Sequence, residues 1–152
     1  MRIVKLSAAL VLAGLGAGVA QADLRTQLPG CAMAYGASPK VHEVMRQGFD
    51  LPRYDEICEA LQSADAALRI IGEWTVIEGR SIAWVAVDVI DRHRPILADG
   101  GGGNMTYVSP VASEERARAM LRELVNDAIG SLDIKADLGI LEQARKEALS
   151  DR

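Results

Sequence analysis

The chain is poor in the residues from which most chemical sites are built. It has two histidines, two cysteines and an aromatic content of only 4%. A catalytic or structural zinc needs three or four convergent ligands. His42-Glu43 supplies half of a zincin helix motif, but no second His follows at the required spacing, and adjacent helical residues point about 100° apart. Gly-x-Ser-x-Gly is missing, so there is no esterase nucleophile elbow. The glycine run Gly100–Gly103 leads into Asn104-Met105 rather than a Gly-Lys-Ser/Thr and a helix, which excludes the phosphate-loop pattern. No cofactor is expected.

Positive charge is also in short supply. Lys plus Arg is 17 against 21 Asp plus Glu, a net charge of −4. Nucleic-acid backbones and anionic membranes are met with Lys and Arg, so an acidic domain is a poor candidate for either, and no nucleic-acid partner is expected. With 49% hydrophobic residues over 152 positions, the composition is that of a globular chain the size of one domain.

The longest apolar run, Leu6 to Ala20, is too short to span about 30 Å of hydrocarbon comfortably. It follows a basic start (Arg2, Lys5) and precedes the small-x-small triplet Ala20-Gln21-Ala22, the three-part pattern of a secretory signal. Residues 1–22 are therefore expected to be removed, leaving 23–152 as one exported domain, periplasmic or secreted and without a stable membrane anchor. Loss of Arg2 and Lys5 takes the charge from −4 to −6. Leu28-Pro29-Gly30-Cys31 resembles a lipoprotein site, but Gln21, Asp23, Arg25, Thr26 and Gln27 separate it from the apolar run.

Export gives the cysteines a role. Cys31 and Cys58 allow one pairing, and an oxidising compartment favours it. They lie 27 positions apart, so the closed loop would stabilise the fold by roughly 3.5 kcal/mol on the chain-entropy account.

Residues 23–37 lack periodicity and read as a loop or extended lead-in. Ser38-Pro39 starts a helix with Val41, Val44, Met45 and Gly48 at helical spacing. Pro52 opens a second, whose stripe is Tyr54, Ile57, Cys58, Leu61, Ala64 and Leu68. The period then changes. Leu68–Ile77 and Ser81–Asp91 form a hairpin around Glu78-Gly79. A two-residue turn pairs Leu68 with Val89, Ile70 with Val87, Gly72 with Val85 and Trp74 with Ala83 on one face, and sets Arg69 opposite Asp88 on the other. Asp99 to Gly103 reads as a flexible loop, and Asn104 to Val111 as a third strand with Pro110 at its exit. Ser113 caps a long helix with Ala117, Met120, Leu121, Leu124, Val125, Ala128 and Ile129 inward. Asp133 caps the last, with Ile134, Leu138, Leu141 and Ala148 inward. The expected class is α+β, with a small antiparallel sheet, about four helices and the order α-α-β-β-β-α-α.

The second hairpin face carries Ile71, Ile77, Ile82, Trp84, Ala86 and Ile90 beside Arg69 and Asp88. A sheet with one face in water alternates more cleanly than this. Helices over both faces are the expected explanation, which would bury Trp84 and make Trp84→Ala cost ~3–5 kcal/mol. The alternative is a docking face with Trp84 and Ile82 at its centre. Arg92, His93 and Arg94, with the glycine run behind them, are the next candidate binding group. The carboxylates Asp50, Asp55, Glu56, Glu73, Asp88 and Asp91 could supply a hydrolase pair, but no spacing selects one.

These features point to a non-catalytic exported protein that binds another protein, as an inhibitor or toxin-neutralising (immunity-type) protein would. A carrier of a small apolar ligand and a hydrolase using dispersed carboxylates are the alternatives. Nothing in the pattern specifies an oligomeric state. Intact mass of the exported protein, before and after reduction and alkylation, is expected to show a chain beginning at Asp23 that gains two alkyl groups only after reduction. A retained Met1 refutes the cleavage, and alkylation without reduction refutes the bridge.

Overall fold

The computed structural model describes residues 34–100 and 102–150. The expected signal segment (residues 1–22), Cys31 and Gly101 lie outside the described residues. Eight elements follow one another: β1 (Ala34–Ala37), α1 (Pro39–Val44), α2 (Tyr54–Ser63), β2 (Ala66–Ile77), β3 (Arg80–Asp91), β4 (Gly103–Ser109), α3 (Glu114–Gly130) and α4 (Ile134–Ser150). The class is α+β, as the patterning predicts. The strands form one sheet in the order β1-β2-β3-β4. β1 runs parallel to β2 and the other pairs are antiparallel. The sheet is therefore mixed, with a fourth strand where a loop or extended lead-in is expected.

The hairpin has the expected register. Leu68 faces Val89, Ile70 faces Val87, Gly72 faces Val85, Trp74 faces Ala83 and Arg69 faces Asp88. Both turn residues have positive φ, 49° at Glu78 and 74° at Gly79. That is the geometry whose twist matches the flanking strands. Ser113 caps α3 by accepting from the Arg116 N–H at 3.1 Å. Asp133 does the same for α4 through the Ala136 N–H at 3.2 Å.

Other boundaries differ from the pattern. α2 stops at Ser63, and the chain turns through Asp65 at φ 53°, so Leu68 belongs to β2 and not to the α2 stripe. Ala148 of α4 is exposed, while Ile134 and Leu141 are buried. Ser38 precedes α1 without a side-chain cap, because its hydroxyl is used by β2.

All four described helices lie on one face of the sheet. The core joins Leu68, Ile70, Ala83, Val85, Val87 and Val89 of the hairpin to Val41, Ile57, Leu61, Met120, Leu121, Leu124 and Leu141. Gly72 makes the closest approach possible: a Cβ there would lie 2.9 Å from Leu121 Cδ1 and 3.0 Å from Val41 Cγ2. The expectation of helices on both faces is thus corrected. The four helices stack on the Leu68–Val89 face, and the Trp84 face is left bare.

One residue of the glycine run is tied to the core. At Gly102 (φ 114°) a Cβ would sit 2.0 Å from Val87 O, so this glycine permits a close backbone crossing. Its N–H donates to the buried Asp137 carboxylate at 3.2 Å.

Leu121 is fully buried, whereas Arg118 is about half exposed and lies over the Trp74 ring with Glu43 and Glu114 beside it. Leu121→Ala is expected to lower stability by ~2–5 kcal/mol. Arg118→Ala should cost about 1 kcal/mol or less. Urea midpoints at constant m-value check the ordering.

Candidate functional site

The bare face is built by the alternation of the strands. Successive side chains point to opposite sides, so the residues between the buried positions all project away from the helices. Cross-strand rows run Ile71–Ala86–Asn104, Glu73–Trp84–Thr106 and Thr75–Ile82–Val108. Ile71 is 38% exposed, Trp84 40% and Val108 56%. Ile82 is half-buried between its neighbours. The expected burial of Trp84 is therefore not met, and Trp84 with Ile82 sits at the centre of an open, partly apolar surface. Arg69 and Asp88 flank it as an ion pair, with Arg69 Nη2 and Nε donating to Asp88 Oδ2 at 2.6 and 2.9 Å.

The two long edges of this sheet are treated differently. Where β1 ends, β2 becomes an edge, and side chains seal it. Ser38 Oγ donates to Gly72 O at 2.7 Å and accepts from Gly72 N at 3.1 Å. Lys40 Nζ donates to Trp74 O at 2.8 Å, and the Trp74 N–H donates to Glu73 Oε1 at 3.1 Å. At β4 there is no counterpart. A two-residue hairpin makes Ile77 and Arg80 a hydrogen-bonded pair, and such pairs alternate along antiparallel strands. Carried across the sheet, this directs the backbone of Met105 and Tyr107 towards β3 and that of Asn104, Thr106 and Val108 outward. No hydrogen bond among the described residues reaches those outward groups.

Arg92, His93 and Arg94 lie in the turn after β3. Trp84 to Arg92 is eight residues of extended chain, roughly 26 Å, so the two candidate groups do not form one site. The central residue here is Asp91, which the sequence marks only as a strand end and as one of six dispersed carboxylates. Asp91 is buried and accepts from the His93 and Arg94 amides at 2.8 and 2.7 Å, from Arg94 Nη2 at 3.0 Å and from Arg145 Nε at 2.7 Å. Arg145 continues to Ala64 O and Asp65 O at 2.9 and 3.0 Å. His93 Nε2 lies 3.3 Å from Asp65 Oδ1. Together they line a cleft of about 310 Å³ with Glu142, Lys146 and Leu149. The Asp-x-x-Arg spacing of a side-chain-closed turn was visible. Arg145, 54 positions away, was not.

Chemically the cluster is a clasp. Burial alone would raise the Asp91 pKa. The donated hydrogen bonds outweigh it and hold the carboxyl well below the usual carboxylate range. A carboxylate so engaged has no lone pair to spare for proton transfer. Of the other candidate carboxylates, Asp88 is paired with Arg69, Glu73 with Lys40 and Glu56 with Arg53. No group of three His, Cys, Asp or Glu side chains among the described residues is arranged to hold a metal ion. Among the described residues no helix is long and apolar enough to cross a membrane.

The Asp91 clasp generates a pH dependence. A carboxyl with a depressed folded-state pKa contributes stability that is complete above its unfolded value near 3.8 and is lost as the pH falls towards the folded value. Asp91→Asn should cost about 3 kcal/mol at neutral pH, because Arg145 loses its buried carboxylate partner. The difference between wild type and variant should hold from pH 7 to pH 5 and shrink below about pH 4, as urea unfolding across that range would show. No family model, curated protein or solved structure matches the chain.

Proposed function

We propose that this protein is exported, is not an enzyme, and works by docking its open sheet face onto another protein. The observation that carries the reading is the diagonal of exposed Ile71, Trp84 and Val108 on a sheet whose opposite face carries the core. Aromatic anchors ringed by polar residues are characteristic of protein interfaces. Here Thr75, Thr106 and Asn104 supply the polar surroundings.

Export is supported by the three-part N-terminal pattern. The Cys31–Cys58 bridge belongs to the same reading: Cys58 is buried on α2 and is not a free thiol. An acidic binding protein captures a basic partner quickly, which favours the inhibitor or toxin-neutralising version. The engagement of Asp91, Asp88, Glu73 and Glu56 in ion pairs weighs against the hydrolase alternative.

A photo-crosslinking residue placed at Thr106 in the producing cell tests the face. It is expected to give a discrete adduct, which the same residue at the exposed α4 position Ala148 does not. Trp84→Ala should abolish the adduct by weakening association by ~2 kcal/mol or more. The same change should shift the stability of the isolated protein by only about 1 kcal/mol, since the side chain is 40% exposed. No adduct from Thr106, or an adduct indifferent to Trp84→Ala, refutes the reading.

A further inference from the structure

We propose that the outer edge of β4 receives an extended strand from the partner, one whose side chains alternate between apolar residues and Lys or Arg. This rests on the reading of the protein as a binding protein and specifies how the partner is held.

Three observations carry it. The first is the difference between the two edges. The β2 edge is closed by Ser38 and Lys40, while the outward N–H and C=O groups of Asn104, Thr106 and Val108 have no partner among the described residues. The second is composition. Exposed edges are normally blunted by charge, by proline or by extreme shortness. β4 is seven residues, Gly-Asn-Met-Thr-Tyr-Val-Ser, with no charge, and its one proline stands after the strand. An added strand would prolong the apolar surface of Ile82, Trp84 and Val108.

The third is the charge on the helix side of that edge. Arg118 and Arg122 of α3 reach towards α1, Arg118 to Glu43 and Arg122 to Val44 O and Gly48 O. The opposite flank carries Glu123 and Asp127, and the Tyr107 hydroxyl of β4 donates to Asp127 Oδ2 at 3.1 Å. The same two carboxylates hold the Tyr107 pKa above its ordinary value. Arg116 answers Glu123 at 3.3 Å, and Asp127 has no cation within ion-pair distance among the described residues. A strand laid against β4 turns alternate side chains to this flank, where Lys or Arg is favoured.

The same charge selects against a second copy. Antiparallel β4–β4 pairing about a two-fold axis keeps both helix layers on one side of the joined sheet. It would bring the Glu123 and Asp127 flanks of the two chains together, and like charges there oppose association.

Geometry sets the test. The proposed strand runs antiparallel to β4: its residues with side chains on the open face turn their N–H groups towards β4 and those facing the helices turn theirs away, whereas a parallel strand would exchange the two sets. The probe is a short acetylated peptide alternating Val and Lys over about seven residues, followed by fluorescence anisotropy. N-methylation of the Val amides is expected to weaken binding about tenfold or more, whereas N-methylation of the Lys amides leaves most of it. Asp127→Asn combined with Glu123→Gln, both exposed and foldable, should weaken the unmodified peptide about fivefold and flatten its salt dependence. Absence of peptide binding, or equal response to the two methylation patterns, overturns strand addition. Unchanged affinity in the double variant overturns the cationic half of the proposal. The Thr106 crosslink decides the broader reading separately, since it needs a protein on the face and not a strand at the edge.

Discussion

Everything else in this structure depends on α3 lying directly on the hairpin at Gly72. The α3 stripe from Ala117 to Ile129 is buried along its whole length. It can reach the sheet because Gly72 has no side chain to hold Leu121 and Val41 away. Each large apolar side chain buried there contributes roughly 1.5–3 kcal/mol. α1 docks beside α3 at the same glycine, and α2 and α4 fill the other end, where the Asp91–Arg145 clasp joins β3 to α4 and to the turn before β2. With four helices committed to one side, none of the described elements remains to cover the other. The bare face is a consequence of where the core was built.

That arrangement suits a platform for binding. The strands behind Trp84 are held by the packed core and by hydrogen bonds at fixed points. Ser81 is buried with its Oγ 2.7 Å from Val111 O, and accepts from the Ser113 N–H at 3.1 Å, which ties the start of β3 to the α3 cap. A rigid surface loses little conformational freedom on association. The Asp91 clasp has the same effect at the far end of the sheet, where it joins β3, α4 and the turn before β2.

How much of this was legible in the sequence depends on the range of the interaction. The hairpin register was readable because Arg69 opposite Asp88 and an unbroken apolar row select one alignment, and Gly79 supplies a positive φ that the turn needs. Ser113 and Asp133 were readable as caps because a cap is a contact over three residues. β1 was not, since Ala-Tyr-Gly-Ala has no β-branched residue and acts as a strand only because β2 offers an edge. The Arg145 half of the clasp joins residues 54 apart and leaves no local trace. Of the candidate site, the residues of the open face were identified, but Ile71, Ile82 and Trp84 have the same pattern whether a helix or a partner covers them. Periodicity reports that a face is apolar, not what meets it.

An apolar face and an uncharged edge together are a hazard, and the way this one is managed bears on its use. The apolar residues are not contiguous: Glu73 and Thr106 flank Trp84 in its row, Thr75 stands beside Ile82, and the Arg69–Asp88 pair closes one end. Such interruptions weaken non-specific collapse, which needs only area, more than they weaken a partner whose polar groups match them. The edge is handled differently. Proline or lysine within β4 would have blunted it at little cost to the core, since Asn104, Thr106 and Val108 face away from the helices. Instead charge lies beside the strand, in Glu123 and Asp127, which on the strand-addition proposal disfavours a second copy of the same acidic chain and favours a basic one. Charge placed next to an open edge filters what may pair with it, whereas charge placed on the edge would exclude every strand alike.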